Sequence, residues 1–316
     1  MRPLVVGMAC LALGGCGIQQ ALRPAGPAPA PLPAERPQLA PGEVAVTWLG
    51  AAGALVRTHD KTIAFDPYVS RHHLGRVIFG NVSPDKQAID RYLPKVDLVL
   101  VGHSHHDHLV DVPYLVQRDN AQLVGTLTTS EIAQSHGVDI KNIHVVGGGE
   151  LIDVDGVLVD VVKAGHGTWR FGKVPSSGVV ESRQGTPMRA SQFKMGGALF
   201  YRVVVDGIRI GHLSSGKLAQ FLPKGIEVDV LLLSLAASSA KDKVMERLLP
   251  ATRPTFLLPI HFDMFFLDLE ENPRRLPGYD VDEVVTTASV LSPGVRVVVP
   301  DPMREQVLNI KTRKVR

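Results

Sequence analysis

The chain has 316 residues, 45% of them hydrophobic, which is enough for one large α/β domain with a sizeable core. Its net charge of +3 is scattered without a basic stripe, and aromatics make up only 5%, so nucleic-acid binding is not its business. Both cysteines, Cys10 and Cys16, lie at the extreme N-terminus, which leaves the rest of the chain without a disulfide, a thiolate metal ligand or a thiol nucleophile.

Arg2 precedes a short apolar run, Leu4 to Leu13, of the length of a signal-peptide core rather than a spanning helix. Leu13-Gly14-Gly15-Cys16 resembles a bacterial lipobox, which implies removal of residues 1–15 and lipidation of Cys16. Residue 17 is Gly rather than Asp, which favours the periplasmic face of the outer membrane over the inner membrane. Residues 16–42 carry prolines at 24, 27, 29, 31, 33, 37 and 41 and read as an extended tether. The folded domain is then 43–316.

Val44 to Leu49 reads as a strand, and Ala54 to Thr58 with Thr62 to Phe65 as a hairpin closed by Asp66-Pro67. Arg71 to Arg76 is a basic loop, and Asp85 to Leu93 a short helix. Leu109 to Arg118 is a helix and Leu123 to Gly125 a strand. Thr128-Thr129-Ser130-Glu131 has the spacing of a capping box opening a helix that ends at His136-Gly137. His136 and His144 read as structural. Hairpins turn at Asp155-Gly156 and Asp206-Gly207. Val228 to Leu233 and Thr255 to Leu258 are buried strands, Ala240 to Leu249 and Val281 to Leu291 helices, and Arg296 to Val299 and Gln306 to Ile310 closing strands.

The chemistry gathers where strands end. The β-branched run Val96 to Val101 leads straight into His103-Ser104-His105-His106-Asp107-His108. Four imidazoles and a carboxylate in six residues are costly in an apolar interior unless an ion neutralises them, and this mixture suits zinc or a similar borderline metal. The spacing H-x-H-x-D-H lets two groups of ligands face two neighbouring ions. Three further histidines, His166, His212 and His261, each follow an apolar strand directly.

The order of hairpin, Asp66-Pro67, strand, H-x-H-x-D-H, Gly165-His166-Gly167 and strand-end His261 resembles the metallo-β-lactamase superfamily, over essentially all of residues 43 to 310. The resemblance implies an αβ/βα sandwich of two mixed β-sheets flanked by helices. Thr47-Trp48-Leu49-Gly50, Phe65-Asp66-Pro67 and Leu258-Pro259-Ile260-His261-Phe262 look most like the branch that holds N-acyl-phosphatidylethanolamine phospholipase D and L-ascorbate-6-phosphate lactonase.

Carried over residue by residue, the resemblance implies His103, His105 and His166 on a first metal and Asp107, His108 and His261 on a second. Asp66 would orient the site from behind, and Asp66 and Asp107 are the two carboxylates of the catalytic machinery. Where the family has a metal-bridging aspartate, the strand ending Gly211-His212 puts His212, a ligand for one ion only. The implied cofactor is zinc, one or two ions, with iron or manganese as alternatives. The implied activity is hydrolysis of a phosphodiester, phospholipid-like, lactone or ester substrate by a hydroxide generated on the metal. A β-lactam hydrolase and a non-catalytic metal- or ligand-binding lipoprotein are the alternatives. Arg71, His72 and His73 are expected at a cationic lip, and His106 in the pocket. Trp169 lies on an irregular insertion, 168–197, expected to act as a lid, and Phe265 is a candidate for an acyl pocket. The expected partners are a small-molecule or lipid substrate and a membrane held through Cys16.

Overall fold

Along β1 (Glu43–Gly50) the buried residues Val44, Val46 and Trp48 alternate with Ala45, Thr47 and Leu49, which are also buried. A strand that is apolar on both sides is one covered on both faces. In this computed structural model, which describes residues 24–168, 173–218, 222–236, 243–271, 274–277 and 280–316, that is where β1 lies. Val44, Val46 and Trp48 join the central core, while Leu49 joins an outer one.

The first sheet adds β2 (Gly53–Arg57), β3 (Thr62–Phe65), β5 (Leu98–Leu100), β6 (Gln122–Gly125), β7 (Ile143–Val145) and the late strand β17 (Glu305–Asn309), in the order β17-β1-β2-β3-β5-β6-β7. The second contains β8 (Leu151–Val154), β9 (Val157–Gly165), β11 (Ala198–Val205), β12 (Ile208–Leu213), β13 (Lys217–Leu218), β14 (Val230–Ser234), β15 (Phe256–Ile260) and β16 (Arg296–Val297). Its order is β13-β9-β11-β12-β14-β15-β16, with β8 on β9. A two-stranded piece pairs β4 (Asn81–Val82) with β10 (Met188–Arg189). In each large sheet an antiparallel part gives way to a parallel one, through β3, β5, β6 and β7 and through β12, β14, β15 and β16.

The central core lies between the sheets and draws Phe65, Leu98 and Leu100 from the first and Val159, Val161, Tyr201 and Leu232 from the second. The next residue along β5, Val99, turns to an outer core with Leu115, Val116 and Ile132. Those three belong to α4 (Val112–Asp119) and α5 (Leu127–Ser135). Against the second sheet pack Leu248 and Leu249 of α6 (Val244–Thr252) and Val281 and Ala288 of α7 (Val281–Leu291). The shorter α1 (Leu74–Phe79), α2 (Lys86–Tyr92) and α3 (His106–Leu109) lie on the connections after β3 and β5. The αβ/βα sandwich expected from the sequence is therefore the fold.

Local details differ from the sequence reading. The helix placed at 109–118 is two, because α3 ends before Asp111, whose carboxylate turns back to accept from Val69 N (2.7 Å), Ser70 N (3.0 Å) and Ser70 Oγ. The N-cap of α5 is Thr126, which accepts from Thr129 N at 3.3 Å, so the capping box at 128–131 sits inside the helix instead. The basic loop carries α1, a helix with no buried residue. Residues 24–42 do not stand off: Ala25 packs on the central core, Leu39 beside Ala45 and Val307, and Pro24 bridges to Arg274. The signal peptide, Cys16 and Trp169 fall outside the described residues, as do 237–242, where a helix was expected to begin.

Candidate metal centre

Parallel strands end together, and in open α/β sheets the crevice outside their carboxyl ends is where ligands bind. β3 delivers Asp66, β5 the run His103 to His108, β9 His166 and β15 His261. Asp66 and His261 adopt left-handed backbone, with φ of 41° and 58°. Non-glycine residues reach that region only where the surroundings over-determine them, commonly at functional sites.

Among the described residues three donor triplets result: one, Asp66 with His103 and His108, lies behind the other two, which are the ones that face the crevice. His103, His105 and His166 have ligand atoms within 4.8 Å of one another, and so have Asp107, His108 and His261. In the first, His103 Nε2 lies 3.1 Å from His105 Nδ1. The outer nitrogens fix the tautomers: His105 Nε2–H donates to Pro175 O (2.9 Å) and His166 Nδ1–H to Gly167 O (2.6 Å). The lone pairs left over are His105 Nδ1 and His166 Nε2. In the second, His108 Nε2 and His261 Nε2 stand 3.5 and 3.6 Å from Asp107 Oδ2. His108 Nδ1–H donates to Asp66 Oδ2 at 2.9 Å.

The electrostatics of the triplets differ. Burial pushes His105 down to about 3, helped by the neighbouring His166, and it lowers His103 and His166 as well. These three therefore present neutral imidazoles at pH 7. Burial also works against charge on His108, but Asp107 and Asp66 override it and push its pKa up to about 10. In the same way burial is overridden for Asp107, which the charge and hydrogen bond of His108 hold well below the usual carboxylate range. The two carboxylates thus call for a positive charge, met by a proton on His108 or by a cation beside it. Five imidazole nitrogens and one carboxylate in two such groups are a donor set that fits two zinc-type ions.

The structure moves several expected site residues. His212 lies outside the donor triplets. β12 runs one residue further than the sequence suggested, through Leu213, which pairs with Leu233. His212 is thereby left inside the strand, where Nε2–H donates to Ala52 O at 3.0 Å and the ring packs 4.9 Å from Phe65. Burial keeps it neutral, and its Nδ1 has no partner. What leaves β12 toward the site is a pair of serines that sequence reading passed over. Ser214 Oγ lies 2.5 Å from Asp66 Oδ2 and 2.9 Å from His103 Nδ1, and Ser215 Oγ accepts from Gly167 N at 3.3 Å.

Arg71 is not at a lip. It is buried and ion-paired at 2.7 Å with Asp263, whose other oxygen accepts from Ala51 N. His72 is buried too, its Nε2 accepting from Ser83 N at 3.3 Å. Only His73 is exposed, 3.3 Å from Asp268. These residues with Arg76 and Asp85 line a cleft of about 210 Å³, and the Tyr68 ring packs edge-on against both His72 and His106. His106 lies 3.7 Å from Asp107 with Nε2 unpartnered, and Phe265 stands 5.1 Å from the His261 ring. Phe262, by contrast, is core, stacked on Trp48. Of the insertion expected as a lid, residues 173–197 are held down by β10, the buried Phe193 and the bond from Ser104 N to Met195 O, and Pro175 O is supplied to His105.

A family model described as a β-lactamase superfamily domain matches residues 45–261, which span both triplets. The chain belongs to the metallo-β-lactamase superfamily. Within it, a UPF0173 metal-dependent hydrolase from Anaeromyxobacter sp. (strain K) is 30% identical over 244 residues, covering 73% of this chain and 78% of that one. The UPF0173 metal-dependent hydrolase MK1542 of Methanopyrus kandleri is 28% identical over 261 residues, covering 76% and 95%. Among solved structures, the metallo hydrolase Igni18 from Ignicoccus hospitalis superposes with a TM-score of 0.54 at 18% identity, covering 84% of this chain and 98% of that one. The metallo-β-lactamase fold protein YhfI from Bacillus subtilis gives 0.52 at 14%, covering 84% and 99%. These two share the fold. The chain is thus a metal-dependent hydrolase of the UPF0173 family.

Proposed function

We propose that this hydrolase cleaves a phosphodiester, phospholipid-like, lactone or ester bond while held at the periplasmic face of the outer membrane through a lipid on Cys16. The observation that carries the hydrolytic part is the pair of donor triplets at the strand ends. Held by His103, His105 and His166 and by Asp107, His108 and His261, metal ions, zinc in our reading, would supply Lewis acidity and lower the pKa of water toward about 7. The chain does the rest. His103, His105 and His166 offer neutral lone pairs, Asp107 adds the one anion facing the ions, and Asp66 fixes His108 from behind. His106 lies next to Asp107, with its Nε2 buried and unpartnered behind the second triplet. Phe265 and Phe266, 4.3 Å apart and beside His261, offer apolar contact to an acyl chain.

The motifs Phe65-Asp66-Pro67 and Leu258 to Phe262 support the branch of phosphodiesterases and lactonases. A lipid on Cys16 would support a membrane-borne substrate. The described chain starts at Pro24, bridged to Arg274 on the loop that follows His261. A lipid on Cys16 would hold that side toward the bilayer. The test is a zinc-replete screen of phosphodiesters, lactones, esters and β-lactams, with His103→Ala as control. We expect turnover of a diester or a lactone that chelation and His103→Ala abolish; turnover of β-lactams alone would replace this substrate class. Detergent-phase partitioning that Cys16→Ala abolishes is the expected sign of the anchor.

A further inference from the structure

Ser214 occupies a position that neither ligand triplet explains. It is fully buried, and its hydroxyl lies 2.5 Å from Asp66 Oδ2, 2.9 Å from His103 Nδ1 and 3.3 Å from His108 Nδ1. The packing around it leaves no slack. A Cβ on Gly102 would come within 2.2 Å of Ser214 Cβ, so glycine there is what lets the hydroxyl reach the carboxylate.

Counting protons gives the direction of each bond. For His103 and His108 to turn Nε2 lone pairs toward the triplets, each must carry its proton on Nδ1. His108 Nδ1–H donates to Asp66 Oδ2. An ionised carboxylate only accepts, so Ser214 O–H also donates to Asp66 Oδ2, and the serine oxygen is left to accept from His103 Nδ1–H. Asp66 Oδ1 is taken by Gly102 N at 2.7 Å. The chain of bonds runs from His103 to Ser214 to Asp66 and back out to His108, one histidine from each triplet.

We propose that Ser214 is a positioning residue that passes the Asp66 carboxylate on to His103, locking that ring in the tautomer that can bind metal. Without the hydroxyl, His103 has no acceptor for Nδ1–H in a dry interior. The proton then gains by moving to Nε2, and the ring ceases to be a ligand. Groups that hold a metal-binding histidine from behind are typically worth roughly 10–100-fold in metal affinity. This inference rests on the proposed zinc site but not on any substrate.

The test is zinc affinity of the full chain, read by competition with a chromophoric chelator. His261→Ala keeps the first triplet whole and His166→Ala the second. Ser214→Ala is expected to weaken zinc by roughly 10–100-fold in the first background and to change little in the second. Ser214→Cys, of similar size with a weaker donor, should fall between, and it stands in if the alanine variant fails to fold. Asp66→Asn should absorb most of the effect, so that adding Ser214→Ala to it costs little more. A role in packing alone would move both backgrounds alike and add to Asp66→Asn. Either result, or no change in the first background, overturns the relay. A wild type that binds no zinc overturns the proposed function, and the relay with it.

Discussion

The two triplets sit side by side yet are held by different means. His103, His105 and His166 carry no formal charge among them, and their outer nitrogens rest on a hydroxyl and two peptide carbonyls. Two of those supports, Pro175 and Gly167, belong to connecting loops. Asp107, His108 and His261 include an anion, and Asp66 adds a second one directly behind His108. The second triplet is therefore the stronger trap for a dication, and the first the more dependent on the loops around it. The contrast teaches that equal numbers of ligands do not make equal sites: partners behind the ligands set the charge and decide the order of filling.

The largest expected effect tests that order. Asp107→Asn should abolish hydrolysis and remove the tighter zinc equivalent, a loss beyond the roughly 100-fold ceiling for an outer partner. His166→Ala should remove the weaker equivalent and leave the tighter one measurable by calorimetry. If the two variants lose the same equivalent, the asymmetry is wrong.

Next in size is the clasp behind the second triplet. Asp263 follows His261 by two residues and ties Arg71 and Ala51 N to the loop. Asp263→Ala strands a buried guanidinium, for which the expected cost is about 3–5 kcal/mol. In urea unfolding the variant should lose that much, and its tighter zinc equivalent should weaken while the looser one keeps its affinity.

The ligands were legible because each is announced locally. H-x-H-x-D-H follows a β-branched run without a gap, and His166 and His261 follow strands whose ends coincide with a change of composition. His212 misled because β12 ends in Leu213, an apolar residue after the histidine. Leu213 carries the strand past His212, so the first side chain to leave it is Ser214, two positions further on. Arg71 misled for another reason. Nothing in a basic stretch of sequence signals a carboxylate that lies far along the chain at Asp263. The sheets were readable from continuous apolar runs covered on both faces, whereas the caps depended on which of several threonines the turn geometry selected.

His212 supplies a smaller test of the same point. As a tie between β12 and the turn at Ala52, His212→Leu should leave both zinc equivalents in place and cost about 1–3 kcal/mol in unfolding for the carbonyl it leaves unpaired. Loss of one zinc equivalent would restore it as a ligand.

The smallest effect concerns the wall outside both triplets. His72 accepts from Ser83 N, and burial, reinforced by the charge of Arg76, lowers its pKa from 6.5 to about 4. A histidine whose folded pKa lies below its unfolded value favours the neutral form in the fold. Its contribution is whole above pH 6.5 and is lost as pH falls through about 4. His72→Gln has no such titration. The stability gap between wild type and variant should therefore shift by roughly 1–3 kcal/mol against the wild type between pH 7 and pH 4. Because burial and Arg76 outrank His106 among the causes of the lowered pKa, the shift should be nearly the same with zinc bound and with zinc chelated. A shift that appears only in the chelated protein would mean that this wall moves with the metal centre.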